Sequence, residues 1–203
     1  ISAIHYLLEL ANDSAVLKMI ALMRQLDNGQ IWKLLTKPLE SGQTPIDFMI
    51  AGTASIQQAL LTMLFTRCAE RIEKLPRDQK AFIRDMVSFQ WLNQMFHSSD
   101  IQTLVSFCEA TAIDITLLPT TILRKTRLNT LSEADFRKLG ELVLPHTGTH
   151  TVPDIATKLM SLVTADLERT PTLTYNLTFL ADKLDYQGAK TLSKDFRKAR
   201  RKS

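Results

Sequence analysis

The sequence predicts an all-α protein, and three observations support this fold class. The chain of 203 residues has only six glycines, and it is rich in Leu, Ala and Met, a composition that favours helix. Apolar residues recur at helical spacing along most of the chain. The most strand-like run, residues 113–118, has no partner of comparable quality, and an isolated strand is not stable. We therefore expect nine or ten helices and no sheet.

Composition limits the class of protein. Apolar residues make up 45% of the chain and charged residues 23%, which is ordinary for a soluble globular protein. No apolar run approaches the ~20 residues that a membrane span needs, and the start does not read as a signal peptide. Cys68 and Cys108 lie in apolar helical runs, so we expect core thiols in a reducing, intracellular and cytoplasmic setting. A start at Ile1 without Met predicts a piece of a longer protein.

Residues 42–52 carry the strongest local signal. Thr44 is a good N-cap, Pro45 suits the first helical position, and Asp47 can reach back to the cap. Gly42 suits a turn with positive φ, and Gly52 is expected to end the helix in the left-handed region. The pattern predicts a turn, a short helix, a tight turn and a longer helix that runs to about residue 74.

This segment resembles the ankyrin repeat, whose inner helix opens with Gly-x-Thr-Pro-Leu-His and which repeats about every 33 residues. The departures are Asp47 in place of His, Met49 and Ile50 in small Ala positions, and a helix one residue shorter. Residues 2–7 echo residues 44–49, so an earlier and irregular copy is expected. Two unrelated helical hairpins remain the alternative. The matching positions are Gly42, Thr44, Pro45, Ile46, Gly52, Ile56, Leu60 and Leu61.

The resemblance implies a protein–protein interaction module in which stacked helix pairs present an extended surface. Residues 1–75 would form divergent ankyrin-like repeats, residues 76–189 a helical C-terminal domain or bundle, and residues 190–203 a basic tail. The partner, another protein, would contact the projecting finger loop (residues 37–43) and the inner helix. Such arrays also occur in proteins that intracellular bacteria deliver into host cells, so the resemblance extends to effectors. The implied partner-binding residues are Lys37, Glu40, Ser41, Gln43 and Asp47.

The other helices are predicted from periodicity and caps. Asp78 is expected to cap one broad apolar helix that runs to about residue 96, near the middle of the fold. Ser132 and Asp135 form a capping-box pattern, and Thr170 precedes a proline as Thr44 does. The remaining helices are predicted over residues 3–11, 14–26, 30–36, 101–112, 119–128, 133–144, 153–167 and 170–184, with a short one from about residue 187.

The basic tail supports an alternative function, the binding of nucleic acid or another anionic surface. Residues 190–203 sum to +6 within a chain of net charge +4, so the rest is slightly acidic. Such a run also fits a nuclear import signal. Arg124, Lys125 and Arg127 form a smaller cluster. Aromatic residues are nearly absent from both, so single-strand recognition is not expected. The anion-binding residues would be Lys194, Arg197, Lys198, Arg200, Arg201 and Lys202.

An enzyme is the third alternative. His146 and His150 are four residues apart with Asp154 nearby, but Gly148 and the threonines disfavour helix, so we expect no metal site. No phosphate-binding loop, dinucleotide motif or nucleophile elbow occurs, and we expect no cofactor. In this alternative the C-terminal helical domain contains a catalytic cleft lined by His146, His150 or Cys108. His97 is expected to cap a helix C-terminus. Asn176 starts a glycosylation sequon, which we discount because it lies within a predicted helix.

Overall fold

A computed structural model describes residues 13–144, 150–166 and 170–184, except the side chains of residues 163–166. The regular structure of these ranges is entirely helical, which confirms the all-α prediction. Several predictions fall outside them: the helix at residues 3–11 with the repeat echo at residues 2–7, the loop with His146, the helix from residue 187, and the basic tail with its six anion-binding residues.

Eleven α-helices and two short 3-10 helices follow one another in the described ranges. None of these helices is both long enough and apolar enough to cross a bilayer. The α-helices are α1 Asp13–Met23, α2 Asn28–Thr36, α3 Pro45–Ile50, α4 Ala54–Cys68, α5 Arg77–Met86, α6 Phe89–Ser98, α7 Ile101–Thr111, α8 Leu117–Lys125, α9 Glu133–Val143, α10 Val152–Asp166 and α11 Pro171–Lys183, and the 3-10 helices are Ala69–Lys74 and Leu128–Thr130.

The helices belong to two compact units. The first contains the described residues up to Leu92 together with Gln102–Ile113, and the second contains Asn93–Ile101 and the described residues from Asp114 onward. Helix α6 begins in the first unit and continues in the second. The predicted boundary after residue 75 lies within the first unit.

Helix α4 is central to the first unit, where it packs against α1, α2, α3 and α5. Phe65 from α4 contacts Trp91 and Phe107, with ring centroids 5.5 Å and 5.3 Å apart. All three rings are buried. Edge-to-face pairs of this kind contribute about 1 kcal/mol each beyond their burial. The ring cluster therefore ties α4 to α6 and α7.

Helices α8, α9, α10 and α11 pack against one another in the second unit. Their facing residues Ile122, Leu139, Leu159 and Leu180 are all buried. Gly140 allows α9 to approach α10 closely, because a Cβ at this position would lie 2.5 Å from two side-chain atoms of Ile155. A contact that short is far inside normal packing distance.

The prediction of one long helix from Asp78 to residue 96 is wrong, because the helical structure is interrupted between α5 and α6. Val87 is extended, and the Ser88 hydroxyl accepts a hydrogen bond of 3.1 Å from the Trp91 amide. Ser88 thus starts a new helix as its N-cap. Helix α5 has Pro76 at its N-cap with Asp78 in its first turn. Phe82 is 58% exposed, so the predicted apolar arc is only partly buried.

Local caps form at the predicted helix starts. Thr44 and Asp47 form the capping box with Pro45 at the start of α3. The hydroxyls of Ser132 and Thr170 accept hydrogen bonds from the amides three residues on. Helix α9 begins at the residue after Ser132, as predicted.

Ala112 ends α7 with a positive φ of 56°. The Ile113 amide donates to the Cys108 carbonyl and the Ala112 amide to the Glu109 carbonyl, the pair of bonds that defines a Schellman C-cap. We expect Ala112→Gly to stabilise the protein by about 0.5–1 kcal/mol, because glycine adopts this conformation without steric strain. Chemical denaturation measures the change.

The matched control is Ala110→Gly within α7, which should destabilise the protein by about 1 kcal/mol. Equal effects of the two substitutions would contradict the role assigned to the left-handed backbone at Ala112.

Candidate interaction site

The finger loop, residues 37–43, forms a tightly closed turn in front of α3. The Leu39 amide donates to the Gln43 carbonyl at 2.7 Å, and the Gly42 amide donates to the Leu39 carbonyl at 3.0 Å. Leu39 is buried. Gly42 has the predicted positive φ, at 82°, and nothing lies within 4 Å of the place where a Cβ would be. Glycine is therefore required here for its backbone conformation, and the finger loop is fixed at its base.

Gly52, at the other end of α3, does not follow the prediction. Gly42 is the only glycine of the described ranges with positive φ. A Cβ on Gly52 would lie 3.0 Å from Cγ2 of Ile56 and 3.2 Å from the Met49 carbonyl oxygen. The residue is small because α3 and α4 approach closely there.

The fold brings four of the five predicted partner-binding residues together. Lys37, Glu40, Ser41 and Gln43 are all exposed on the finger loop. Asp47 is partly buried in the first turn of α3. Its partner-binding role remains a prediction, but its carboxylate is engaged within the fold.

Both carboxylate oxygens of Asp47 accept hydrogen bonds from neighbouring residues. Oδ2 accepts from the Thr44 amide at 2.7 Å and from the Thr44 hydroxyl at 2.8 Å. Oδ1 accepts from Nε2 of Gln79 at 2.7 Å, and the same Nε2 is 3.2 Å from the Thr44 hydroxyl. Gln79 is a buried polar residue of α5. It therefore links the capping box of α3 to α5.

The electrostatics of Asp47 follow from this network. Burial raises the pKa of Asp47, but the hydrogen bonds from the Thr44 amide, Gln79 and the Thr44 hydroxyl outweigh it, so the pKa lies below its ordinary value. A lowered carboxylate pKa means that folding favours the ionised form. Asp47 therefore contributes stability above the unfolded-state pKa of about 4.

No protein-family model matches this chain, and neither a curated protein nor a solved structure matches it. The resemblance to the ankyrin repeat rests on the residues of the segment from Gly42 to Leu61. That the helix pairs of this chain stack as ankyrin repeats do stays a proposal.

Asp154 and Cys108, two other residues considered for chemistry, have structural roles. Asp154 accepts hydrogen bonds from the Thr151 amide and hydroxyl, so it forms a capping box with Thr151 at the start of α10. No group of three potential metal ligands occurs among the described residues, which include His150 but not His146. Burial raises the pKa of the Cys108 thiol to about 12, with a smaller contribution from Glu109. A thiol with this pKa is a poor nucleophile at neutral pH.

His97 lies in the last turn of α6, but Lys138 of α9 caps that turn. Lys138 Nζ donates to the carbonyls of Phe96 and Ser99 at 3.1 Å and 2.7 Å. The His97 ring instead contacts the Asp135 carboxylate, with Nδ1 and Oδ2 3.0 Å apart. Burial raises the pKa of Asp135, but His97, Ser132 and Lys138 together hold it below its ordinary value.

Sequence reasoning also missed two other long-range caps. Arg67 of α4 donates to the carbonyls of Arg24 and Leu26 after α1, at 3.0 Å and 2.6 Å, and to the Asn28 side chain at 2.7 Å. Asn176 of α11 binds the turn that follows α8. These residues satisfy carbonyl groups that a helix end leaves without partners. No local pattern marks them, because each acts across about forty or more residues of sequence.

Proposed function

We propose that this chain is a protein–protein interaction module whose first unit binds its partner through the finger loop. The observation that carries the proposal is the combination of a fixed backbone and exposed side chains. Leu39 and Gly42 hold the base of the finger loop, while Lys37, Glu40 and Gln43 are exposed beyond it. A rigid loop loses little conformational entropy when it binds, so more of its contact energy contributes to affinity.

The link from α3 to α5 supports the same proposal. Gln79 joins the capping box behind the finger loop to α5. In a helical array, such contacts between layers keep the outward surface in register while its side chains remain variable. Lys37 and Glu40 give the finger loop one charge of each sign, so a partner surface with complementary charges would fix its orientation. Because Cys68 and Cys108 are free and buried, an intracellular partner is part of this proposal.

The test reverses the two charges of the finger loop without changing the net charge. A photo-activated cross-linker at Ser41 first captures the partner, which is then identified, purified and titrated against the chain. We expect the double variant Lys37→Glu, Glu40→Lys to weaken binding at least about tenfold, because each reversed charge then faces a partner charge of the same sign. Isothermal titration calorimetry measures the dissociation constant.

The matched control reverses another exposed pair in the first unit, Arg84→Glu with Asp85→Arg. These side chains lie 3.2 Å apart at the end of α5, and their reversal should leave the affinity unchanged. A finger-loop variant that binds the purified partner as tightly as the unmodified chain would contradict the proposed site.

A further inference from the structure

The last turn of α8 and the residues that follow it form a second charged surface, in the other unit. Arg124, Lys125 and Arg127 are all exposed there. We refer to residues 124–127 as the basic turn. No acidic residue occurs between Asp114 and Glu133, so no acid next to them in sequence offsets the charges of Arg124 and Arg127. Cations at a helix C-terminus often reflect only the helix dipole.

Asn176 weakens that simple explanation. Its Nδ2 donates to the carbonyls of Leu123 and Thr126 at 2.7 Å and 2.8 Å, and its Oδ1 accepts from the Leu128 amide at 2.8 Å. The side chain is fully buried. Two carbonyls at this helix end therefore already accept hydrogen bonds from Asn176, and the turn is held by three bonds to one buried side chain. The arginines extend into solvent from a fixed backbone.

The fold also supplies an aromatic residue that the sequence did not place near this cluster. Tyr175 precedes Asn176 on α11, and its ring centroid is 5.0 Å from Cζ of Arg127. Tyr175 is 39% exposed, and residues 170–181 include no acidic residue. A guanidinium that lies over an aromatic ring combines a positive charge with a flat apolar surface.

We propose that the basic turn and Tyr175 form a binding site for single-stranded nucleic acid. The arginines would contact backbone phosphates, and one base would stack on the pair formed by Arg127 and Tyr175. Unpaired bases commonly stack on aromatic rings and on arginine planes, whereas a paired base is enclosed in its duplex. A lipid surface or an acidic peptide needs only the charge, so the exposed ring favours the single strand. Recognition would be independent of base sequence.

The test uses the full chain with the six basic tail residues 194, 197, 198, 200, 201 and 202 changed to Gln, so that the tail does not mask this site. A fluorescent oligodeoxythymidine of about twelve nucleotides, within the usual range of single-strand sites, is titrated by anisotropy. We expect Arg124→Gln with Arg127→Gln to weaken binding at least about tenfold and to flatten its salt dependence. Tyr175→Leu should weaken binding about tenfold, and Tyr175→Phe should retain it.

Arg137→Gln is the matched control, because Arg137 is an exposed arginine of the same unit that pairs with Glu133, and it should leave binding unchanged. Thermal denaturation checks that each variant is folded. If Tyr175→Leu does not fold, the variant of the two solvent-exposed arginines still tests the proposal. The proposal is overturned if tail substitution alone abolishes binding, or if the arginine variant binds normally. A duplex that binds as tightly as the oligonucleotide would overturn it as well. So would variants that lose binding to phosphatidylserine vesicles but keep their binding to the oligonucleotide.

Discussion

Replacing Asn176 with Ala is expected to destabilise the second unit by about 4 kcal/mol. The substitution leaves the carbonyls of Leu123 and Thr126 and the Leu128 amide without their partner. Each buried polar group left unsatisfied costs about 1–3 kcal/mol, and the Asn176 side chain is 0% exposed. Water cannot reach the Leu123 carbonyl or the Leu128 amide without opening the packing between α8 and α11, because both bonds are buried. Urea denaturation followed by circular dichroism measures the loss.

Two further variants isolate the cause. Asn176→Asp keeps the shape but turns an oxygen toward the two carbonyls, so its cost at neutral pH should equal or exceed that of Ala. Thr178→Ala removes the same sequon but changes only an exposed residue, and should stay within about 0.5 kcal/mol. A loss below about 1 kcal/mol for Asn176→Ala would show that the Asn176 side chain does not hold the turn after α8.

The sequence predicts the helix starts well because their determinants lie within one turn. Thr44, Ser132 and Thr170 each act on residues one to three positions away. The positive φ of Gly42 is local in the same sense, since it depends on the turn that contains it. Propensity and capping rules describe interactions of this range. For these elements the fold adds little to what the local chain dictates.

The helix ends and the break at Ser88 are less predictable. Apolar residues continue through Val87 into α6, so periodicity alone favours one helix, and only the choice of Ser88 as a cap reveals two. The C-termini of α1, α6 and α8 are closed by Arg67, Lys138 and Asn176, which come from helices far along the chain. Which carbonyl such a side chain reaches depends on tertiary packing.

The candidate site likewise has features that the local sequence predicts and features that depend on tertiary packing. The exposure of Lys37, Glu40 and Gln43 follows from a loop with Pro38 and Gly42, which sequence can indicate. The engagement of Asp47 depends on Gln79, and Gln79 reaches Asp47 only when α5 packs against α3. A residue expected to face a partner thus stabilises the scaffold beneath the finger loop.

Replacing Asp47 with Ala is therefore expected to destabilise the first unit by about 3 kcal/mol. The capping interaction contributes about 1 kcal/mol, and the buried Gln79 amide loses its charged acceptor at a further cost of about 2 kcal/mol. Asp85→Ala is the control, because Asp85 is an exposed carboxylate whose pairing with Arg84 should contribute less than about 1 kcal/mol. If Asp47→Ala lowers the free energy of unfolding no more than the control does, the hydrogen bonds of Asp47 do not stabilise the fold.

The dependence on pH separates this network from simple packing. The pKa of Asp47 is lowered by folding, so its contribution is present above about pH 4 and is lost as the pH falls through the folded-state pKa. In Gln79→Glu, two carboxylates lie within hydrogen-bond distance, and their repulsion raises one of the two pKa values of the pair above the unfolded values. The sign then reverses, because a raised pKa confers stability at low pH that disappears as the pH rises. Relative to the unmodified chain, Gln79→Glu should be most destabilised at pH 7 and recover toward pH 4. A deficit that is constant across this range in urea titrations would show that the side chains at positions 47 and 79 do not share a hydrogen bond.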